Sequence, residues 1–234
     1  GKDLVKAADG CYLVTIGSKE YHFRFSFDTT TTGSYKTTLV NVEYSDITGT
    51  KSWKDNSDAY GTRPDGITLA LYRKAGNGAE EVVNGADGKP LQPTWVKSGN
   101  TWTYTYTHLP EADGQGESYT YRVEEIQTTG PAGGDQYTAT QNGMNLTNTL
   151  TGKTEVTVTK TGAEGGDPDG FRGEITLELR ADNVPIKTVT LDRTGVVSRI
   201  LDAFTDSGNR WIYTFEDLDK YDANGKRIEY TVVE

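Results

Sequence analysis

The stretch Asn145-Leu-Thr-Asn-Thr-Leu150, then Thr151-Gly-Lys153, then Thr154-Glu-Val-Thr-Val-Thr-Lys160 reads as strand, short turn, strand. Side chains alternate along a strand, so Leu146, Asn148 and Leu150 share one face, and Val156, Val158 and Lys160 share another. An asparagine and a lysine therefore each sit inside an apolar row, where a half-buried strand normally keeps only core residues. Burying an amide or amine without a partner costs roughly 2–7 kcal/mol. Asn148 and Lys160 need partners, and the rest of the chain has to supply them.

Upstream, Ile47-Thr-Gly-Thr-Lys51-Ser-Trp53 puts Ile47, Lys51 and Trp53 on one face. Tyr119-Thr-Tyr121-Arg-Val123-Glu-Glu125 does the same for Tyr119, Tyr121, Val123 and Glu125. The pattern then recurs as Ile228-Glu-Tyr230-Thr-Val232-Val-Glu234. Lys51 to Lys160 is 160 − 51 = 109 positions, and Trp102 to Trp211, Tyr121 to Tyr230 and Glu125 to Glu234 give the same number. A repeat of that length is a domain rather than a solenoid unit.

The 234 residues suffice for two domains with cores of their own. Tyr 14, Trp 4 and abundant Thr and Val favour strands, and Gly 27 supplies turns. A net charge of −10 disfavours nucleic acid and anionic membrane as partners. No apolar run approaches a membrane span, so membrane insertion is not expected. No signal peptide or sorting signal is present, so the sequence reads as a piece of a longer multi-domain chain. Cys11 is the single cysteine and has no intrachain disulfide partner.

Residues 1–46 read as three strands of uncertain affiliation. Cys11 to Ile16 and Tyr21 to Phe27 flank the hairpin signal Gly17-Ser-Lys-Glu, and a third strand runs from Tyr35 to Ser45. Asn41 lies opposite Val40, Val42 and Tyr44 and reads as a surface residue. The first repeat is 47–151, with strands expected at 47–53, 66–73, 101–107, 118–126, 136–141 and 144–150. The second repeat is 152–234. The counterpart of Asn148 would fall at 148 + 109 = 257, so the second repeat is expected to lack its last strand and to leave that sheet edge open. No segment carries a helical period. Short strands with a turn about every ten residues predict an all-β chain of tandem immunoglobulin-like sandwiches.

If Lys51, Glu125 and Asn148 face one core, chemistry follows. Desolvation lowers a lysine pKa and raises a glutamate pKa. A neutral amine is a nucleophile, and a protonated carboxyl can polarise the Asn148 amide and relay protons. The amine then attacks, ammonia leaves, and an amide bond joins the two side chains once, driven by proximity. Trp53 and Tyr121 would keep water out. A buried Lys–Glu ion pair with a hydrogen-bonded asparagine is the alternative.

Lys-x-Trp on the first strand, Tyr-x-Val-x-Glu near the end and Thr-Asn-Thr on the last strand together resemble the B-type repeat domain of the Cna collagen adhesin, found widely in Gram-positive surface adhesins and pilins. The resemblance spans about 47–234. It implies a prealbumin-like, reverse-immunoglobulin sandwich. It also implies a self-formed isopeptide bond in which Lys51, Glu125 and Asn148 match the family's lysine, glutamate and asparagine. In the second repeat Lys160 and Glu234 match, but Lys160-Thr-Gly162 departs from Lys-x-Trp, and that pair is expected to stay unreacted. A cell-wall-anchored, extracellular stalk or adhesin segment follows, with no cofactor. The alternative is a module binding a host matrix protein or a glycan through its loops or residues 1–46. An enzyme is disfavoured because no Ser/His/Asp set, Cys/His set or metal cluster is apparent.

Other candidates weigh less. Asp167-Pro-Asp-Gly and Asp222-Ala-Asn-Gly look like calcium-loop fragments without a full ligand spacing, and such clusters are usually turns. His22 and His108 are the only histidines; His108 aligns with Asp217 and reads as a surface loop residue. Asn145-Leu-Thr is a glycosylation sequon by its letters. Glu124 and Glu125 are adjacent, hence on opposite faces, which excludes a glycosidase pair.

Overall fold

The structure is a computed structural model describing residues 5–6, 12–17, 19–23, 43–126, 135–161, 173–192, 195–196, 203–206 and 210–234. Strands β1 (Val5–Lys6), β2 (Tyr12–Ile16) and β3 (Lys19–Phe23) form a three-stranded antiparallel sheet. Ile16 pairs with Lys19, so the expected hairpin closes between these two residues. Lys19 and Glu20 already belong to the strand. Asn41, Phe25 and Phe27 lie outside the described residues.

The first repeat contains β4 (Tyr44–Lys54), β5 (Thr68–Ala75), β6 (Glu81–Val82), β7 (Thr94–Ser98), β8 (Thr101–Pro110), β9 (Tyr119–Ile126), β10 (Gln136–Asn142) and β11 (Asn145–Thr151). One sheet runs β10-β11-β4-β8-β7 and a second β6-β5-β9. Tyr44 and Ser45 pair with Pro110 and Leu109, so they open β4 rather than end a separate third strand. Alternation buries Leu69 and Leu71 of β5 and Val123 of β9 against Tyr104, Tyr106 and Leu109 of β8 and Leu146 of β11. Two sheets facing each other across one apolar layer make an immunoglobulin-like sandwich. Gly49 sits where a Cβ would meet the Tyr104 hydroxyl and the Met144 carbonyl, which are hydrogen-bonded to each other. Any larger residue there would displace that bond.

The second repeat contains β12 (Lys153–Thr161), β13 (Ile175–Ala181), β14 (Val184–Asp192), β15 (Gly195–Val196), β16 (Ala203–Asp206), β17 (Arg210–Asp219) and β18 (Tyr230–Val233). Its sheets are β12-β17-β16 and β15-β14-β13-β18. Its core packs Leu177, Leu179, Val189 and Leu191 against Trp211, Tyr213 and Phe215. The chain is therefore all-β, a tandem of such sandwiches. β11 and β12 are separated by Gly152 alone and belong to different sheets.

The 109-residue repeat is visible in hydrogen bonds. Lys51 pairs with Trp102 and Lys160 with Trp211. Both pairings carry a register shift, at Ser45/Ile47 and at Thr154/Val156. His108 and Asp217 share a φ of 58°. Asp113 Oδ1 accepts from the amides of Gln115 and Glu117, and Asp222 Oδ1 from those of Asn224 and Lys226. The Tyr121 hydroxyl donates to the Pro110 carbonyl and the Tyr230 hydroxyl to the Asp219 carbonyl.

The chain divides into two compact units. One holds residues 1–52, 64–129 and 140–147; the other holds 53–63, 130–139 and 148–234.

Candidate functional site

On β4 the inward row is Ile47, Gly49, Lys51 and Trp53, and Lys51 is completely buried. β9 lies in the opposite sheet and ends its inward row with Glu125, which pairs with Leu69 of β5. The two side chains meet inside the sandwich, where Lys51 Nζ donates to Glu125 Oε2 at 2.6 Å, with 0% and 7% of the side chains exposed. Burial pushes the Lys51 amine down from its ordinary value, against the pull of Glu125 upward. Asn148 is 4% exposed between the buried Leu146 and Leu150. It lies on β11, the strand next to β4 in the sheet. The structure thus brings Lys51 and Glu125 into contact and sets Asn148 in the buried row of the neighbouring strand.

Lys160 and Glu234 repeat the first pair. Lys160 Nζ donates to Glu234 Oε1 and Oε2 at 2.7 and 2.6 Å. Here 44% and 47% of the two side chains are exposed. Among the described residues, β12 has a neighbour on one side only, β17.

The structure adds a second buried charge that the sequence did not announce. Asp55 lies just past β4 in what reads as a turn, Asp55-Asn-Ser-Asp, and it is fully buried. Arg63 grips it with both ends of its fork, Nε reaching Oδ2 at 2.8 Å. The Tyr137 hydroxyl donates to Oδ2 at 3.0 Å and the Asp58 amide to Oδ1 at 3.1 Å. Burial would push this carboxyl up, but the hydrogen bonds from Arg63, Asp58 and Tyr137 outweigh it and hold it below the usual carboxylate value. Arg63 and Tyr137 also pack on the Trp53 ring, at 5.4 and 5.1 Å. The only sequence signal was an acidic residue two positions after a core tryptophan.

The remaining candidates have structural places. His108 lies within β8 at its left-handed residue, not in a loop, and stacks on Tyr44 at 4.2 Å. Asn145 Oδ1 accepts from the Thr50 amide and hydroxyl. Glu124 is half exposed and pairs with Arg122, on the face opposite Glu125. The Asp222 carboxylate is engaged by turn amides. Asp167 to Gly170 and the His22 side chain lie outside the described residues.

The family model for the Cna protein B-type domain matches residues 47–149 and 156–234. A collagen adhesin of Staphylococcus aureus is 33% identical over 241 residues, covering 100% of this chain and 17% of its own length. The chain therefore spans about a sixth of that relative. Two solved structures from the collagen-binding surface protein of Staphylococcus aureus are also similar. A single B repeat unit is 27% identical with a TM-score of 0.32, covering 82% of this chain and 85% of its own. A pair of B repeat units is 28% identical with a TM-score of 0.40, covering 99% of this chain and 55% of its own.

Proposed function

Because the chain belongs to the Cna protein B-type domain family, we propose that it is a stalk segment of an extracellular, cell-wall-anchored adhesin, hardened by one self-formed cross-link between Lys51 and Asn148. The observation that supports this is a fully buried lysine held 2.6 Å from a buried glutamate, beside the strand that carries a buried asparagine. Burial that disfavours the ammonium form makes Lys51 a better nucleophile.

Lys51 Nζ attacks Asn148 Cγ, the new N–C bond forms, and the bond from Cγ to Nδ2 breaks. Glu125 takes a proton from the attacking amine and delivers one to the departing nitrogen, which leaves as ammonia. No oxidant or cofactor enters the balance. Lys160 and Glu234 remain an ordinary ion pair in this chain.

Collagen is the partner that the relative's name gives. In this reading the present chain bears such a binding function rather than providing it, so the isolated chain shows no collagen binding in a surface assay. Digestion followed by fragmentation mass spectrometry tests the cross-link. A branched peptide joining the Lys51 and Asn148 segments is expected, and it disappears in Glu125→Ala while the variant keeps its strand signal in circular dichroism. Linear peptides only, or a branched peptide that persists in the folded variant, would overturn the assignment.

A further inference from the structure

The second compact unit gathers residues 53–63 and 135–137 of the first repeat around a turn of the second. Asn56, Ser57 and Asp58 all have positive φ, 52°, 58° and 60°. Three consecutive left-handed non-glycine residues are costly and persist only where their surroundings impose them. Asp55 and Arg63 do so, since the Asp58 amide donates to Asp55 Oδ1 and the Arg63 amide to Asp58 Oδ1. The strained segment then offers its groups outward. The Asn56 amide donates to the Asn224 carbonyl at 3.3 Å, and the Tyr60 hydroxyl accepts from the Arg227 amide at 2.8 Å. The Arg227 guanidinium lies over the Tyr60 ring at 5.0 Å. Asp135, 9% exposed, takes Lys220 Nζ at 2.8 Å and the Tyr221 hydroxyl at 2.8 Å. Gly225 sits so close that a Cβ would fall 2.2 Å from the Lys54 carbonyl oxygen.

The first repeat supplies an internal control. Its own copy of this turn has the same Asp-x-x-Gly scaffold, Asp113 to Gly116 against Asp222 to Gly225, with matching hydrogen bonds. Yet Lys220, Tyr221 and Arg227 are replaced there by Glu111, Ala112 and Ser118. The turn does not need those three side chains in order to form. By the same 109 offset, Trp53, Asp55 and Tyr60 become Gly162, Glu164 and Asp169 in the second repeat.

We infer that residues 54–60 with Asp135 form a docking socket built for one partner, a following repeat whose turn carries Lys-Tyr-Asp-x-x-Gly-x-Arg, so that the order of repeats is written into the joint. A turn of the Glu-Ala-Asp type would set a carboxylate against Asp135 and leave Tyr60 uncovered. The strain at 56–58 belongs to the socket.

Amide hydrogen exchange on the whole chain tests this. Asn56 and Arg227 report the joint. Lys220 and Ile228 report the second repeat itself, since the Lys220 amide donates to the Gly152 carbonyl as Glu111 does to Glu43 in the first. In the unmodified chain Asn56 and Arg227 exchange at least about tenfold slower than open loops. In Lys220→Glu/Tyr221→Ala/Arg227→Ser that protection is lost while Lys220→Glu and Ile228 amides stay protected. If the triple variant fails to fold, Lys220→Glu alone gives the same split. Loop-like exchange at Asn56 and Arg227 in the unmodified chain, or full protection in the folded variants, overturns the inference.

Discussion

Lys51–Glu125 and Lys160–Glu234 are one pair written twice, 109 residues apart, with the same 2.6 Å contact and opposite surroundings. The first is sealed in a core at 0% and 7% exposure, and the second stands 44% and 47% exposed. Strand register is repeated as well, because each lysine faces a tryptophan on the partner strand in both repeats. What differs is the cover. β4 has β11 beside it and Trp53 two residues on, whereas described β12 has only β17, and position 162 is a glycine. The same contact therefore stands in two different environments, and desolvation, which favours a neutral amine, comes from neighbouring elements.

The largest break in this symmetry should come from Lys51→Ala. If the proposed Lys51–Asn148 bond forms, this variant removes a closure of 148 − 51 = 97 positions, worth up to about 4–5 kcal/mol by analogy with a disulfide, and leaves a cavity. Lys160→Ala should cost no more than about 1 kcal/mol, since exposed pairs contribute little. Denaturant melts of the two variants measure the contrast, and equal losses would refute it.

Asp55→Ala comes next. It strands Arg63 in a nearly closed site, and breaking one partner of a buried pair costs roughly 3–5 kcal/mol. Its pH dependence has a fixed sign. The folded state holds Asp55 below its ordinary value, so its stabilisation is fully present above the unfolded carboxylate pKa of about 3.9 and is lost as pH falls through the lower folded value. Asp55→Asn should flatten the acid limb of the stability curve below about pH 4, and an unchanged acid limb would show that this carboxylate is not held down.

The smallest effects should be equal in the two halves. Tyr121→Phe and Tyr230→Phe each remove one hydroxyl bond to a strand-end carbonyl, at 2.7 and 2.8 Å. Each should cost about 1 kcal/mol. A marked difference would mean that the repeats diverge beyond their lysine sites.

Much of this was legible in the residues. Period-two rows placed β4, β8, β9 and β11, and the 109 offset announced the second copy. Within the first repeat, two strands were missed for physical reasons. β6 is the two-residue Glu81-Val82 beside Asn84-Gly85, and β7 follows Pro90 and Pro93 with Val96 69% exposed, so neither shows a buried alternating row. Asp55 was read as a turn residue because its partners sit 8 and 82 positions away, Arg63 and Tyr137, and nothing local marks a buried carboxylate. The exposure of Lys160 goes with β12 having only β17 beside it among the described residues, whereas the contacts of Lys220, Tyr221 and Arg227 with Asp135 and Tyr60 lie 85 to 167 positions apart and carry no local signal.

The most direct test is the intact mass of the whole chain under denaturing conditions. The account predicts a mass lower than the sequence mass by one ammonia, restored in full by Lys51→Ala and unaffected by Lys160→Ala. The full sequence mass in the unmodified chain, or a deficit of two ammonias, would contradict it.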